Sequence, residues 1–463
     1  MVFRMRRAIA WSLAVLTMLT GEPALAQFGD PVPPAVIPGV VQRFVPLGHG
    51  VPGVLYEPAA PGPKARIALF VMHASGDYLT FSACSELSKR GYRVLCANNS
   101  TSKSGAFDDG VMDKVLGEAK LGIDFLRTLP AVDRVVLFGH SGGATIMTAY
   151  QAIAEHGATF CQAPALIHKC PNALTTLKPA DGVVLADANW GQAEMTLLSV
   201  DPSVIDDSVG TRLNPSLDMY NPANGYRKGG TAYSPQFVGA FLAAEGARNN
   251  ALLAKASARL ALIDAGKGDY VDDEPFVIAG ASFIGNRLFT EDTRLLEHSR
   301  KPWPLLHGDG TVTTEIIHSL RGPSNRDNPT PSYGHGALKT TVRSYLSSYA
   351  IRVTPNFGYD ATHVYGVDWR STYASPPGNV EAIGVPLLAM GMTGNWEGLA
   401  AEEIYDHAAS RDKSIAFVEG ATHVYTPCNT CSRPASAFGD TVKTLYDYVD
   451  RWLSAPRRFD RSR

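Results

Sequence analysis

With 463 residues, 45% of them hydrophobic and 19% charged, and a formal charge of −2, the chain has an ordinary globular composition. It lacks the basic excess that a nucleic-acid or anionic-membrane partner demands. Its length allows one large domain, or one domain carrying a sizeable insertion.

The first stretch reads as an export signal. Arg4, Arg6 and Arg7 form a basic segment, Ala8 to Leu19 an apolar one, and Ala24-Leu25-Ala26 the small-x-small pattern that places cleavage before Gln27. Residues 1–26 are therefore expected to be a signal peptide, and the rest an exported protein, periplasmic or secreted. The apolar run is too short for a bilayer, and no later segment reaches spanning length. Six cysteines follow: Cys84, Cys96, Cys161, Cys170, Cys428 and Cys431. An even number in an exported chain points to disulfides, and pairing each with its sequence neighbour is the simplest connectivity. Cys428-Asn-Thr-Cys431 could also be half of a zinc site or a redox motif. It lacks a second Cys/His pair at ligand spacing, so a small disulfide loop is the better reading.

After a Pro-rich lead-in, strand and helix patterns alternate. Val40–Pro46 and Val54–Tyr56 read as edge strands, and the unbroken apolar run Ile67–Met72 as a strand buried on both faces. A helix over Tyr78–Arg90, a strand over Tyr92–Ala97 and a helix over Val111–Leu129 follow. Next come a strand over Arg134–Phe138, a helix over Ala144–Glu155 and a strand over Gly182–Ala186. The alternation resumes late, with strands at Val385–Met390 and Ser414–Val418 and helices at Ala400–Ala409 and Thr441–Leu453. Apolar strands alternating with helices imply a mainly parallel sheet with helices on both faces. In between, 190–382 departs from the pattern. It carries a long helix over Pro235–Ala265 and loop-rich pieces at Gly322–Tyr333 and Ser375–Asn379, and is expected to fold as a cap over the sheet.

The strongest motif is Gly139-His140-Ser141-Gly142-Gly143, set between a buried strand and a helix. G-x-S-x-G in that setting forces a sharp turn that lifts the serine hydroxyl above the sheet, at a helix N-terminus where free N–H groups favour developing negative charge. Gly48-His-Gly-Val-Pro-Gly53 formally matches a dinucleotide fingerprint, but Pro52 stands where a helix should open, so it reads as a loop.

Here the chain resembles the α/β-hydrolase family, over roughly residues 40–190 and 383–455. The resemblance implies an α/β-hydrolase core over 27–189 and 383–463, interrupted by a cap insertion over 190–382. It implies Ser141 as nucleophile. The loop Met72-His-Ala-Ser-Gly76 is similar to the family's His-Gly loop, so backbone N–H groups of Gly142 and Ser75, or less readily Ala74, are expected to form the oxyanion hole. His423, after Ser414–Val418, corresponds to the family's terminal histidine and is the expected base. The acid usually follows the penultimate strand, where Glu397 is the nearest carboxylate and the expected acid. Asp187, before the insertion, is the alternative acid, and Asn395 is a further alternative that would orient His423 without charge. His140 is expected to shape the pocket and His73 to order its loop.

The expected reaction is hydrolysis of a carboxylic ester through an acyl-enzyme on Ser141. No metal or organic cofactor is expected. The partner is a small-molecule ester, with cap aromatics such as Tyr359, Tyr365 and Trp369 hinting at an apolar or aromatic group. Alternatives on the same residues are C–C or amide hydrolysis, acyl transfer, or a binding protein that keeps the fold without chemistry.

Overall fold

The computed structural model describes residues 36–101, 110–208, 210–281, 285, 287–324 and 336–459; the signal-peptide reading lies outside them. In chain order the strands are β1 (Val40–Gly48), β2 (Val51–Pro58), β3 (Ile67–His73), β4 (Arg93–Asn98), β5 (Arg134–His140), β6 (Gly182–Ala186) and β7 (Pro275–Ala279). They continue with β8 (His298–Leu306), β9 (Val312–His318), β10 (Ala337–Thr341), β11 (Arg352–Tyr359), β12 (Val364–Asp368), β13 (Leu387–Met392) and β14 (Lys413–Val418). Ten of them form one sheet in the order β1-β2-β4-β3-β5-β6-β13-β14-β8-β9. From β4 through β8 the neighbours run parallel, while β1, β2 and β9 are joined antiparallel.

The strands are apolar without a break because both faces are covered. Phe70, Leu137, Val183 and Ile415 point to one core, while Leu69, Val136, Val184 and Ala416 point to the other. The first face is covered by helices Met112–Thr128, Gly142–His156 and Ala400–His407, and the second by Ser82–Lys89 and Thr441–Leu453. Small boundary shifts have local causes. The first helix starts at Ser82 rather than Tyr78 because the Tyr78 amide donates to Asn98 Oδ1 at 2.8 Å. β13 starts after Pro386, which has no N–H for the ladder.

The stretch 190–382 is not wholly a cap. Its segment 298–318 adds β8 and β9 to the sheet beyond β14, held in register by Phe417↔Leu305 and Val418↔Leu306. The pattern hides this because β8 (HSRKPWPLL) opens on four polar residues and carries two prolines, which leaves Leu305-Leu306 as the only unbroken apolar pair, at the end joined to β14. The rest surrounds the long helix Pro235–Asp264, capped by Ser234 Oγ accepting from the Phe237 amide, with Pro235 in its first turn. Phe241, Glu245, Asn249, Leu252 and Ala256, at helical spacing, form its buried face. β7 pairs with β10, and β11 with β12, in two small antiparallel sheets. Ser375–Asn379, expected as loop, is largely the short helix Pro376–Val380. The Gly48–Gly53 segment is the tip and start of the β1–β2 hairpin. The cysteines pair as Cys84–Cys96, Cys161–Cys170 and Cys428–Cys431. Among the described residues no helix is long and apolar enough to cross a membrane.

Candidate active site

Five neighbouring parallel strands, β3, β5, β6, β13 and β14, present their carboxyl ends along one edge, and the loops leaving them carry Ala74, Ser141, Asp187, Glu397 and His423. Ser141 links β5 to helix Gly142–His156 with φ 51° and ψ −130°. A side chain in that left-handed region is strained, by about 1–3 kcal/mol, and persists only where the surroundings hold it. The glycines show how they do. A Cβ at Gly139 meets the Ala144 Cα at 2.7 Å, and one at Gly143 meets the Met72 carbonyl oxygen at 2.6 Å. Gly143→Ala is therefore expected to destabilise the fold by about 1–3 kcal/mol, the usual range for overpacking. Chemical denaturation checks this; an unchanged midpoint contradicts the tight turn.

The Ser141 amide donates to the Asp187 carbonyl at 3.2 Å, so the β5 and β6 loops are tied together. Asp187, itself at φ 49°, is fully buried. Its Oδ1 accepts from the Met392 amide at 2.9 Å, and its Oδ2 from Asn395 Nδ2 at 2.8 Å and from His423 Nδ1 at 2.7 Å. Glu397 Oε2 lies 3.3 Å from the same His423 Nδ1. Both carboxylates thus reach the histidine, and Asp187 is its hydrogen-bond acceptor. Burial raises the pKa of Asp187, with His423 and the two other donors opposing it; burial likewise raises that of Glu397, and the Asp187 charge adds to it. For His423 burial acts downward, but Glu397 and Asp187 outweigh it and raise the pKa to about 9.

With Nδ1–H given to Asp187, His423 Nε2 is the ring nitrogen left to take up a proton. No hydrogen bond joins it to Ser141 Oγ among the described residues; the link between the two loops runs through His140. His140, adjacent to Ser141, places its ring 4.5 Å from that of His423, and its Nε2 lies 2.7 Å from the His423 carbonyl. A carbonyl only accepts, so His140 Nε2 carries the proton and the Tyr78 hydroxyl donates to Nδ1 at 2.5 Å. This neutral state agrees with a pKa pushed far down by burial and by the His423 charge.

In the β3 loop, His73 Nδ1 accepts from the Ser75 amide at 3.1 Å and the Gly76 amide at 2.6 Å, and its ring stacks on Tyr78. Asn99 Nδ2 donates to the His73 and Ala74 carbonyls at 2.8 and 2.7 Å. The Ser75 amide, an expected oxyanion donor, is thus committed to the His73 ring. The Ala74 methyl instead lies beside the Cβ position of Gly142, at 3.4 Å. Sequence reasoning did not find Asn99, Tyr78 or Arg287, whose guanidinium lies 5.1 Å over the Trp396 ring. None stands in a motif, and only tertiary contact reveals them.

No family model matches the chain, and no curated protein matches it. Solved structures with a similar shape include the siderophore hydrolase EstB of Aspergillus fumigatus, at 12% identity and TM-score 0.40, covering 90% of this chain and 98% of that one. A hypothetical protein of Pseudomonas aeruginosa is similar at 13% identity and TM-score 0.39, with 92% and 95% covered. A dienelactone hydrolase of Anabaena variabilis follows at 8% identity and TM-score 0.35, with 90% and 97% covered. The chain's own sheet order, with an antiparallel second strand, a parallel run after it and a strained serine between the fifth strand and its helix, gives it the α/β-hydrolase fold.

Proposed function

We propose that the protein is a serine hydrolase of carboxylic esters, with Ser141 as nucleophile, His423 as base and Asp187 as the orienting acid. Ser141 Oγ attacks the ester carbonyl carbon while its proton passes to His423 Nε2. The tetrahedral oxyanion is held by the Gly142 N–H and, in place of Ser75, the Ala74 N–H. Collapse breaks the bond to the alcohol oxygen, which takes the proton from His423. Water then attacks the acyl-enzyme, gives its proton to His423, and the acid leaves as Ser141 recovers it. This chemistry uses no metal or organic cofactor. The Ser141–His423 hydrogen bond has to close in the substrate complex, as catalytic hydrogen bonds in free enzymes commonly do.

One observation carries the reading: a serine held at positive φ shares the same edge with a histidine whose far nitrogen is bound by a buried carboxylate. Asp187 is preferred to Glu397 because it lies closer to Nδ1 and is itself fixed by two further donors. Three disulfides together with the N-terminal pattern support export to an oxidising compartment.

A fluorophosphonate probe, followed by peptide mapping, tests the assignment. Labelling is expected on Ser141 and lost in Ser141→Ala; equal labelling of both proteins overturns it. Turnover of a substrate panel that sets p-nitrophenyl esters beside matched anilides and C–C-cleavage substrates then separates ester hydrolysis from amide or C–C cleavage.

A further inference from the structure

Two carboxylates meet one imidazole nitrogen, though one is enough to orient it. Asp187 takes the hydrogen bond, and its oxygens are already directed by Met392 and Asn395. Glu397 Oε2 is buried and, among the described residues, accepts no hydrogen bond. Its relation to His423 at 3.3 Å is therefore one of charge rather than of direction. Its placement is nonetheless built. Asn395 Oδ1 accepts from the Glu397 and Gly398 amides at 2.6 and 3.2 Å, while Nδ2 of the same side chain donates to Asp187. One asparagine thus sets both carboxylates against the ring.

We propose that Glu397 is a positioning residue that holds a proton on His423 in the free site and so sets the pH range of the activity. This rests on His423 being the base, as proposed above. Every charged or titratable group facing the ring fits it. Asp187 and Glu397 both favour the imidazolium. His140, ring to ring with His423, is buried and neutral, with His73 behind it. Arg287, over Trp396, draws on Glu397 and only moderates its effect. The balance favours the charged ring, raising it to about 9 against the opposing effect of burial. A base must be neutral to accept a proton, so kcat/KM is expected to rise with pH through the His423 midpoint rather than to level off near the ordinary value of about 6.5.

The experiment is a pH titration of the His423 ring resonances in histidine-labelled protein, assigned against His423→Gln, with kcat/KM measured over the same range. Parent, Glu397→Gln and Glu397→Asp are compared. An opposite charge at this range shifts a pKa by about 1–3 units, so Glu397→Gln is expected to lower the midpoint by that amount. Glu397→Asp, with its charge set back by one methylene, is expected to lower it less. Titration of Glu397→Gln together with the parent overturns the proposal. If Glu397→Gln does not fold, a Glu397→Asp midpoint equal to the parent's does so. The resonance reads protonation without turnover. A shifted midpoint in a protein that cleaves no ester keeps the Glu397 role and removes the hydrolase reading; ester cleavage with an unmoved midpoint does the reverse.

Discussion

Replacing Ser141 by alanine is expected to lower ester turnover about 10⁶-fold, the scale seen when the nucleophile of a serine hydrolase is removed. The substitution deletes one oxygen from a turn whose conformation is imposed by Gly139, Gly143 and the Asp187 carbonyl, so the fold should survive it. The strain at φ 51° remains, because alanine also has a Cβ. Thermal stability close to that of the parent, alongside lost turnover, is therefore the expected pair of results. Steady-state kinetics with a p-nitrophenyl ester and a melting curve read both. Turnover within tenfold of the parent's would mean that the hydroxyl does no chemistry and that the fold serves another purpose.

The second large effect is expected at Asp187. Asp187→Asn should reduce kcat/KM by about 10⁴-fold, as loss of the orienting carboxylate does in such triads. The surroundings explain why the swap is not mild. Oδ1 faces the Met392 amide, and Oδ2 faces both Asn395 Nδ2 and His423 Nδ1, so every neighbour is a donor. An asparagine must turn its own NH₂ toward one of them. Either orientation leaves donors facing each other in a buried place, at about 1–3 kcal/mol of stability. His423 is then freed to adopt the wrong tautomer. Glu397→Gln disturbs none of these bonds and should act on pH dependence first. If Glu397→Gln showed the 10⁴-fold loss and Asp187→Asn a small one, the roles of the two carboxylates would be exchanged.

Much of this site is visible before folding. The run Arg134–Phe138 followed by Gly-His-Ser-Gly-Gly announces a strand, a crowded turn and a helix, because no other local structure satisfies both the apolar run and the glycines. His423 follows a second such strand, and the sequence-near cysteine pairs need no distant partner. These features are local, and local chemistry is legible.

Which carboxylate meets His423 is not legible, for a geometric reason. β6 and β13 are adjacent and parallel, so the loops leaving them reach the same imidazole, and Asp187 and Glu397 lie 210 positions apart in sequence yet both within 3.3 Å of one nitrogen. Chain order cannot rank such distances. The oxyanion loop is similar: only folding shows that His73 takes up the Ser75 amide and leaves Ala74 beside Gly142. β8 and β9 escape notice because half-polar strands at the end of a sheet are defined by their partners, and β8, set between β9 and β14, finds β14 far along the chain. The sequence by itself determined the parallel sheet, the serine turn and the histidine, since each depends on residues within one short segment. Which carboxylate accepts from His423, which amide is taken up by His73 and which strands extend the sheet was decided by the tertiary structure, because those choices depend on distances between segments remote in sequence.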